Sequence, residues 1–177
     1  MISPDEFKTI LKHASRNFAD VLLVTWQTGC RPQEISRVEA RHVDLENGRW
    51  VFPPKEAKGK KKERVVYLSD EALRITKERM QKFPEGPLFR TQRGNPWDRC
   101  SMSESFKKLK TKIGVRYCLY NIRHTYITLG LKNGVDPVTM ATLVGHSDLT
   151  MIHRVYSHIS QDADHMRKMA MKAVNPE

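Results

Sequence analysis

One interruption constrains the fold of this chain more than any other feature. Around residue 47 a helical pattern gives way to short extended runs. Asn47-Gly48 is a hairpin-type turn. Arg49-Trp50-Val51-Phe52 and Arg64-Val65-Val66-Tyr67-Leu68 are brief β-branched and aromatic runs that read as strands. The polar, basic residues 55–63 lie between them. This predicts a small antiparallel sheet with an exposed basic hairpin.

Everywhere else the punctuation is helical. Ser3, Pro4 and Glu6 supply an N-cap, a first-turn proline and an N3 acid, so a helix is predicted to about Ala14. Residues 18–28 form a second helix ended by Gly29. Pro32 opens a short third helix with Glu34, Ile35 and Val38. Ser69-Asp70-Glu71 caps a fourth, running to 82. Residues 83–97 hold three prolines and two glycines and read as loop. Further helices are predicted over 103–113, 120–133, 137–144, 149–156 and 161–173. Ile159, Ala163, Met166, Ala170 and Val174 form a stripe expected to close the domain's own core. The predicted class is mainly α with a small antiparallel β-sheet (α+β). A length of 177 residues suits one domain that buries roughly 70% of its unfolded surface.

Charge narrows the partner. Lys plus Arg total 31 against 20 Asp plus Glu, a net charge of +11 that favours a polyanion. A membrane is disfavoured, because no apolar run approaches the roughly 20 residues of a span. The N-terminus lacks a signal-peptide pattern. Cys30, Cys100 and Cys118 are scattered and odd in number, with no CxxC pair. They indicate neither a disulfide framework nor a zinc site, and the default compartment is a reducing cytosol. No cofactor is indicated.

Five segments hold residues able to act on a phosphate. Thr28-Gly29-Cys30-Arg31-Pro32-Gln33-Glu34-Ile35 places Arg31 between a helix end and a helix start, with Glu34 near enough to hold it. Tyr120-Asn121-Ile122-Arg123-His124-Thr125 puts Tyr120 and Arg123 three residues apart, where both can point at one phosphate. Leu143-Val144-Gly145-His146-Ser147-Asp148 sets His146 after a helix-ending glycine. Val155-Tyr156-Ser157-His158 carries a tyrosine. Its phenol has a reference pKa of about 10, so it needs cationic neighbours to become a nucleophile. The fifth segment is the basic stretch Lys58-Gly59-Lys60-Lys61-Lys62-Glu63-Arg64.

In this order the segments resemble the catalytic domain of the tyrosine recombinases, or phage integrase family, over nearly the whole chain. The resemblance implies the following site. Arg31 and Arg123 are the two family arginines, Glu34 supports Arg31, His146 fills the His-or-Trp position and Tyr156 is the nucleophile. Lys58, before Gly59, is the hairpin lysine, with Lys60 the alternative. Lys60, Lys61, Lys62 and Arg64 are expected DNA contacts. Tyr120 stands where the family usually has His. A phenol donates a hydrogen bond but exchanges protons poorly near neutrality, so His146 takes a larger share.

The implied substrate is duplex DNA, cleaved without metal through a 3′-phosphotyrosyl link. Self-association on DNA as a tetrameric synapse is implied as well, and the resemblance gives the last helix a second role beside closing its own core, docking on a neighbouring protomer. The family's upstream DNA-binding domain has no counterpart in the sequence, so residues 1–177 are expected to be the catalytic domain of a cytoplasmic, nucleoid-associated protein. Two rivals stand beside this reading. One is a non-enzymatic helix-turn-helix module built from 137–144 and 149–156. The other is a type IB topoisomerase-like enzyme sharing the chemistry. A zinc hydrolase is remote, since no HExxH occurs.

Overall fold

The computed structural model describes residues 1–57, 59, 62–146 and 149–174. Among them lie α1 (Pro4–His13), α2 (Arg16–Thr28), α3 (Pro32–Arg37) and a 3-10 turn (Ala40–His42). The sheet follows, as β1 (Val43–Asp44), β2 (Arg49–Phe52) and β3 (Arg64–Tyr67). Then come α4 (Asp70–Lys82), α5 (Arg99–Ile113), α6 (Leu119–Lys132), α7 (Pro137–Val144), α8 (Thr150–Ile159) and α9 (Ala163–Val174). The molecule is mainly α with a three-stranded antiparallel sheet of order β1-β2-β3.

Local chemistry accounts for most boundaries. Ser3 and Glu6 form the reciprocal capping box at the head of α1. Gly29 ends α2 in the left-handed region, at φ 60°. It also faces the ring of Tyr126 so closely that a Cβ there would come within 2.3 Å of the ring. The α2–α3 turn is thereby pressed onto α6. Asp136 caps α7 and Pro137 begins it.

Two elements differ from the sequence reading. β1 was not expected; it is two residues long and gains its identity by pairing Val43 with Trp50. Helix α5 starts at Arg99 rather than 103, because Asp98 accepts from the Ser101 N–H and Ser101 bonds back to the Asp98 N–H.

The core falls into two clusters. The larger joins α1–α6 to the sheet around Phe18, Leu22, Trp50, Leu88 and Phe89. The smaller contains Ile127, Leu131, Met140, Ala141, Val144, Ile152 and Ile159, from α6, α7 and α8. Helix α6 belongs to both, with Leu119 and Ile122 in the first and Ile127 and Leu131 in the second. The expected role of α9 in closing the core does not hold. Met166 and Val174 are 43% and 75% exposed, and only His165 of this helix is buried. Of the stripe only Ile159, which precedes this helix, is buried, while Ala163, Met166, Ala170 and Val174 are exposed. No helix among the described residues is long and apolar enough to cross a membrane.

Candidate active site

Helix α3 begins with its own ion pair. Arg31 occupies the N-cap in extended conformation, and Glu34 reaches back to accept its backbone N–H at 2.7 Å. The other Glu34 oxygen accepts from Arg31 Nη1 at 2.7 Å. Arg31 Nη2 donates to the Gly145 carbonyl, at the far end of α7. The expectation that Glu34 stands close enough to hold Arg31 describes what is seen.

Arg123 enters from α6 and is 3% exposed. Its Nη2 donates to the Val144 carbonyl at 2.7 Å, and its Nη1 donates to the Gly29 carbonyl. Both arginines thus meet the carbonyls that α7 leaves unsatisfied at its C-terminus, the negative end of the helix dipole. Burial pushes the Arg123 guanidinium down to about 10, with repulsion from Arg31 next, partly offset by Glu34. It is still protonated at neutral pH. Burial first, then Glu34, lifts the adjacent Cys30 thiol to about 11, which removes it as a nucleophile.

A third guanidinium completes the cluster. Arg64 opens β3, and its expected place among the DNA contacts is corrected here: it is 7% exposed and turned inward. Its Nε donates to Glu34 at 2.9 Å and its Nη1 to the Leu143 carbonyl at 2.9 Å. Strand alternation is the cause. Arg64 shares the inner face with Val66, while Val65 and Tyr67 point the other way. Burial raises the Glu34 carboxyl, but the charge and hydrogen bonds of Arg64, with those of Arg31, outweigh it and hold the group below its ordinary range.

His146 is fixed by the helix end. Its N–H bonds the Ala141 carbonyl at 2.8 Å, and the Gly145 N–H bonds that of Thr142 at 3.0 Å. This is a Schellman motif, with Gly145 at φ 68°. The imidazole therefore follows directly on the carbonyl that Arg31 holds. Tyr156 lies half-buried on α8, packed on the smaller cluster between the buried anchors Ile152 and Ile159. Among the described residues no hydrogen bond or ion pair joins it to the arginines. The helix that carries it, α8, packs on α6 and α7.

Tyr120 is not brought in. It is 61% exposed on the first turn of α6, beside a cavity of about 440 Å³ that Gln33, Arg99 and Arg116 also line. Three residues leave about 60° between side chains around a helix, enough to separate a rim position from a buried one. Lys58, Lys60 and Lys61 lie outside the described residues, and Lys62 is exposed. Arg37, which the sequence reading passed over, lines a small cleft with Arg31, Glu34, Ala57 and Arg64. No group of three or more His, Cys, Asp or Glu that could hold a metal occurs among the described residues.

A count of N–H groups shows what the cluster can do. A guanidinium has five. Arg31 and Arg123 each commit two to the protein, one at Nη1 and one at Nη2, leaving three each for an anion. Three arginines against one carboxylate give a local excess of two positive charges. A phosphodiester carries one negative charge and gains a second in its pentacoordinate transition state, so the excess matches what must be stabilised.

Comparison with known proteins shows what the chain is similar to. The family model described as Phage integrase family matches residues 1–163. Tyrosine recombinase XerA of Saccharolobus solfataricus is 28% identical over 156 residues, covering 88% of this chain and 50% of that protein. A XerC-like tyrosine recombinase of Caldanaerobacter subterraneus is 31% identical over 91 residues, covering 51% of this chain and 23% of its own. The chain thus spans about half the length of the first of these relatives, or less. Among solved structures, the Tn1549 transposon integrase in complex with circular intermediate DNA superposes with a TM-score of 0.77 at 18% identity, covering 97% of this chain and 66% of that one. XerA recombinase gives 0.71 at 22% identity, covering 97% and 64%.

Proposed function

The chain belongs to the phage integrase family, and from that premise we propose that residues 1–177 are the catalytic domain of a site-specific DNA recombinase. The observation that carries the reading is the convergence of Arg31 and Arg123, each with three free N–H groups, on the segment that ends in His146.

The reaction proposed is strand cleavage and rejoining in duplex DNA. The Tyr156 oxygen attacks the scissile phosphorus as its proton passes to water, and the P–O5′ bond breaks. A 3′-phosphotyrosyl link forms and a 5′-hydroxyl leaves. Arg31 and Arg123 hold the two non-bridging oxygens, and His146 adds a hydrogen bond. Lys58 protonates the departing oxygen as general acid. Attack by the 5′-hydroxyl of a second strand reverses these steps. One phosphodiester is exchanged for another, so no external energy source is required. Tyr120, at the exposed rim, meets the duplex as a hydrogen-bond donor. Lys60, Lys61 and Lys62 contact flanking phosphates.

Four protomers on two duplexes would form the synapse, in the cytoplasm and on the nucleoid. Structural relatives support a DNA substrate: XerH is seen bound to its difH substrate, and λ integrase as a dimer bound to a core site.

The test is to trap the protein on a nicked suicide duplex and map the modified residue. The expected result is an adduct at Tyr156 that Tyr156→Phe abolishes while noncovalent binding persists. Mapping to Tyr67, Tyr117, Tyr120 or Tyr126 would overturn the assignment.

A further inference from the structure

We propose that Arg64 is a positioning residue for cleavage: it fixes Glu34, and through it Arg31, against the C-terminal end of α7. The proposal rests on the recombinase reading above and names a residue that acts within that site without touching substrate.

The N–H count separates Arg64 from the other two arginines. One N–H at Nε goes to Glu34 at 2.9 Å, and one at Nη2 goes to the second Glu34 oxygen at 3.4 Å. Two at Nη1 go to the Val65 and Leu143 carbonyls. Four of its five N–H groups are therefore committed inside the protein, against two each for Arg31 and Arg123. A guanidinium so occupied has one N–H left, too few to present a fork to a phosphate.

Its position explains what it holds. Arg64 is the first residue of β3, where the chain returns from the basic hairpin that carries Lys58. Glu34 sets the Arg31 side chain, and Leu143 lies three residues before His146. One side chain thus joins the segments of the first arginine, the hairpin and the histidine. The opposite wall is closed too: a Cβ at Gly145 would come within 2.8 Å of Arg64 Nε. Without Arg64, Glu34 has Arg31 as its one guanidinium partner and draws it inward. Lysine cannot replace it, because one ammonium cannot reach a carboxylate and a helix end in the fixed fork that arginine offers.

The experiment compares wild type, Tyr156→Phe and Arg64→Lys. Single-turnover cleavage of the nicked duplex is measured at saturating protein, and equilibrium binding is measured across a salt series. Circular dichroism confirms the fold. Arg64→Lys is expected to cleave at least tenfold more slowly while its salt slope stays at the wild-type value. The defect should persist on a duplex with a 5′-thiolate leaving group, which needs little protonation. Three outcomes overturn the proposal: a wild-type cleavage rate in the folded variant, a slope shallower by about 0.9, the signature of one lost phosphate contact, or rescue by the 5′-thiolate. If Arg64→Lys does not fold, Arg64→Met with Glu34→Gln removes both charges together. That pair should also cleave slowly, and a wild-type rate would again overturn the proposal. Should wild type itself form no adduct, the recombinase reading falls and the proposal falls with it.

Discussion

Nη2 of Arg123 donates to the carbonyl of Val144 at 2.7 Å, across 21 residues of sequence. The arginine proposed to meet the phosphate is thus also the stopper of a helix end. Its orientation is set before any substrate arrives, so little reorganisation is needed when charge develops.

Arg123→Lys should therefore lose cleavage out of proportion to binding. An ammonium can cap the Val144 carbonyl or meet a phosphate oxygen, but it cannot present a planar fork to both. The expected loss is on the order of 3 kcal/mol in the cleavage step, or roughly a hundredfold or more. Single-turnover adduct formation measures it, and a rate close to wild type would refute the role.

Glu34→Gln should expose a pH-dependent part of the stability. The folded carboxyl is held below its ordinary value of 4.5, so its contribution is fully present above that pH. It is lost as pH falls through the folded value. The gap in Tm between wild type and Glu34→Gln should be wide at pH 7 and close progressively below pH 4.5. Breaking a buried pair costs on the order of 3 kcal/mol, which sets the scale at neutral pH. Thermal melts across an acid series check this. A gap independent of pH would show that Glu34 is not the ionised hub of the cluster.

Gly145→Ala should disturb both stability and cleavage. The backbone is in the left-handed region, which costs an L-residue about 1–2 kcal/mol. At about 2–4 °C per kcal/mol, the fall in Tm is roughly 2–8 °C from the backbone alone. The new methyl would also press on Arg64. Cleavage should drop even at temperatures where the variant is fully folded. Differential scanning calorimetry beside adduct assays would separate the two effects.

Binding of this chain to DNA should depend steeply on salt. Its +11 charge and the basic stretch 55–63 in its sequence point to phosphate contacts. Each contributes about −0.9 to the slope of log K against log salt. Roughly half a dozen contacts weaken binding about a thousandfold between about 50 and 200 mM salt. A salt-insensitive, sequence-specific complex would return weight to a helix-turn-helix reader.

Much of the fold is legible in the sequence because helix ends are written locally. Ser3 with Glu6, Gly29, and Asp136 with Pro137 each mark a boundary that the structure reproduces. The start of α5 was hidden because Asp98 and Ser101 cap each other, a pairing obscured by the preceding prolines and glycines. Arg64 was misplaced for a different reason. Its neighbours Lys60, Lys61 and Lys62 made it look like the end of a charge run, whereas period-two alternation with Val66 points it inward. Burial of α9 failed because a stripe of apolar residues states only that a face could be covered. Arg31 and Arg123 were recognisable from their boxes, but their shared anchorage on 144–145 depends on tertiary contacts that no local pattern records.

The division of the core into two clusters bears on how the chain opens. Among the described residues, twenty-three buried ones hold the first cluster and seven hold the second, which carries the tyrosine helix. Regions with fewer buried contacts exchange amide hydrogens through partial openings that cost less than global unfolding. Amides of α8 should therefore exchange well before those of α2. On the proposed chemistry, the helix that takes up a covalently attached strand, and later gives it back, is the one this protein can loosen while leaving the rest of itself folded.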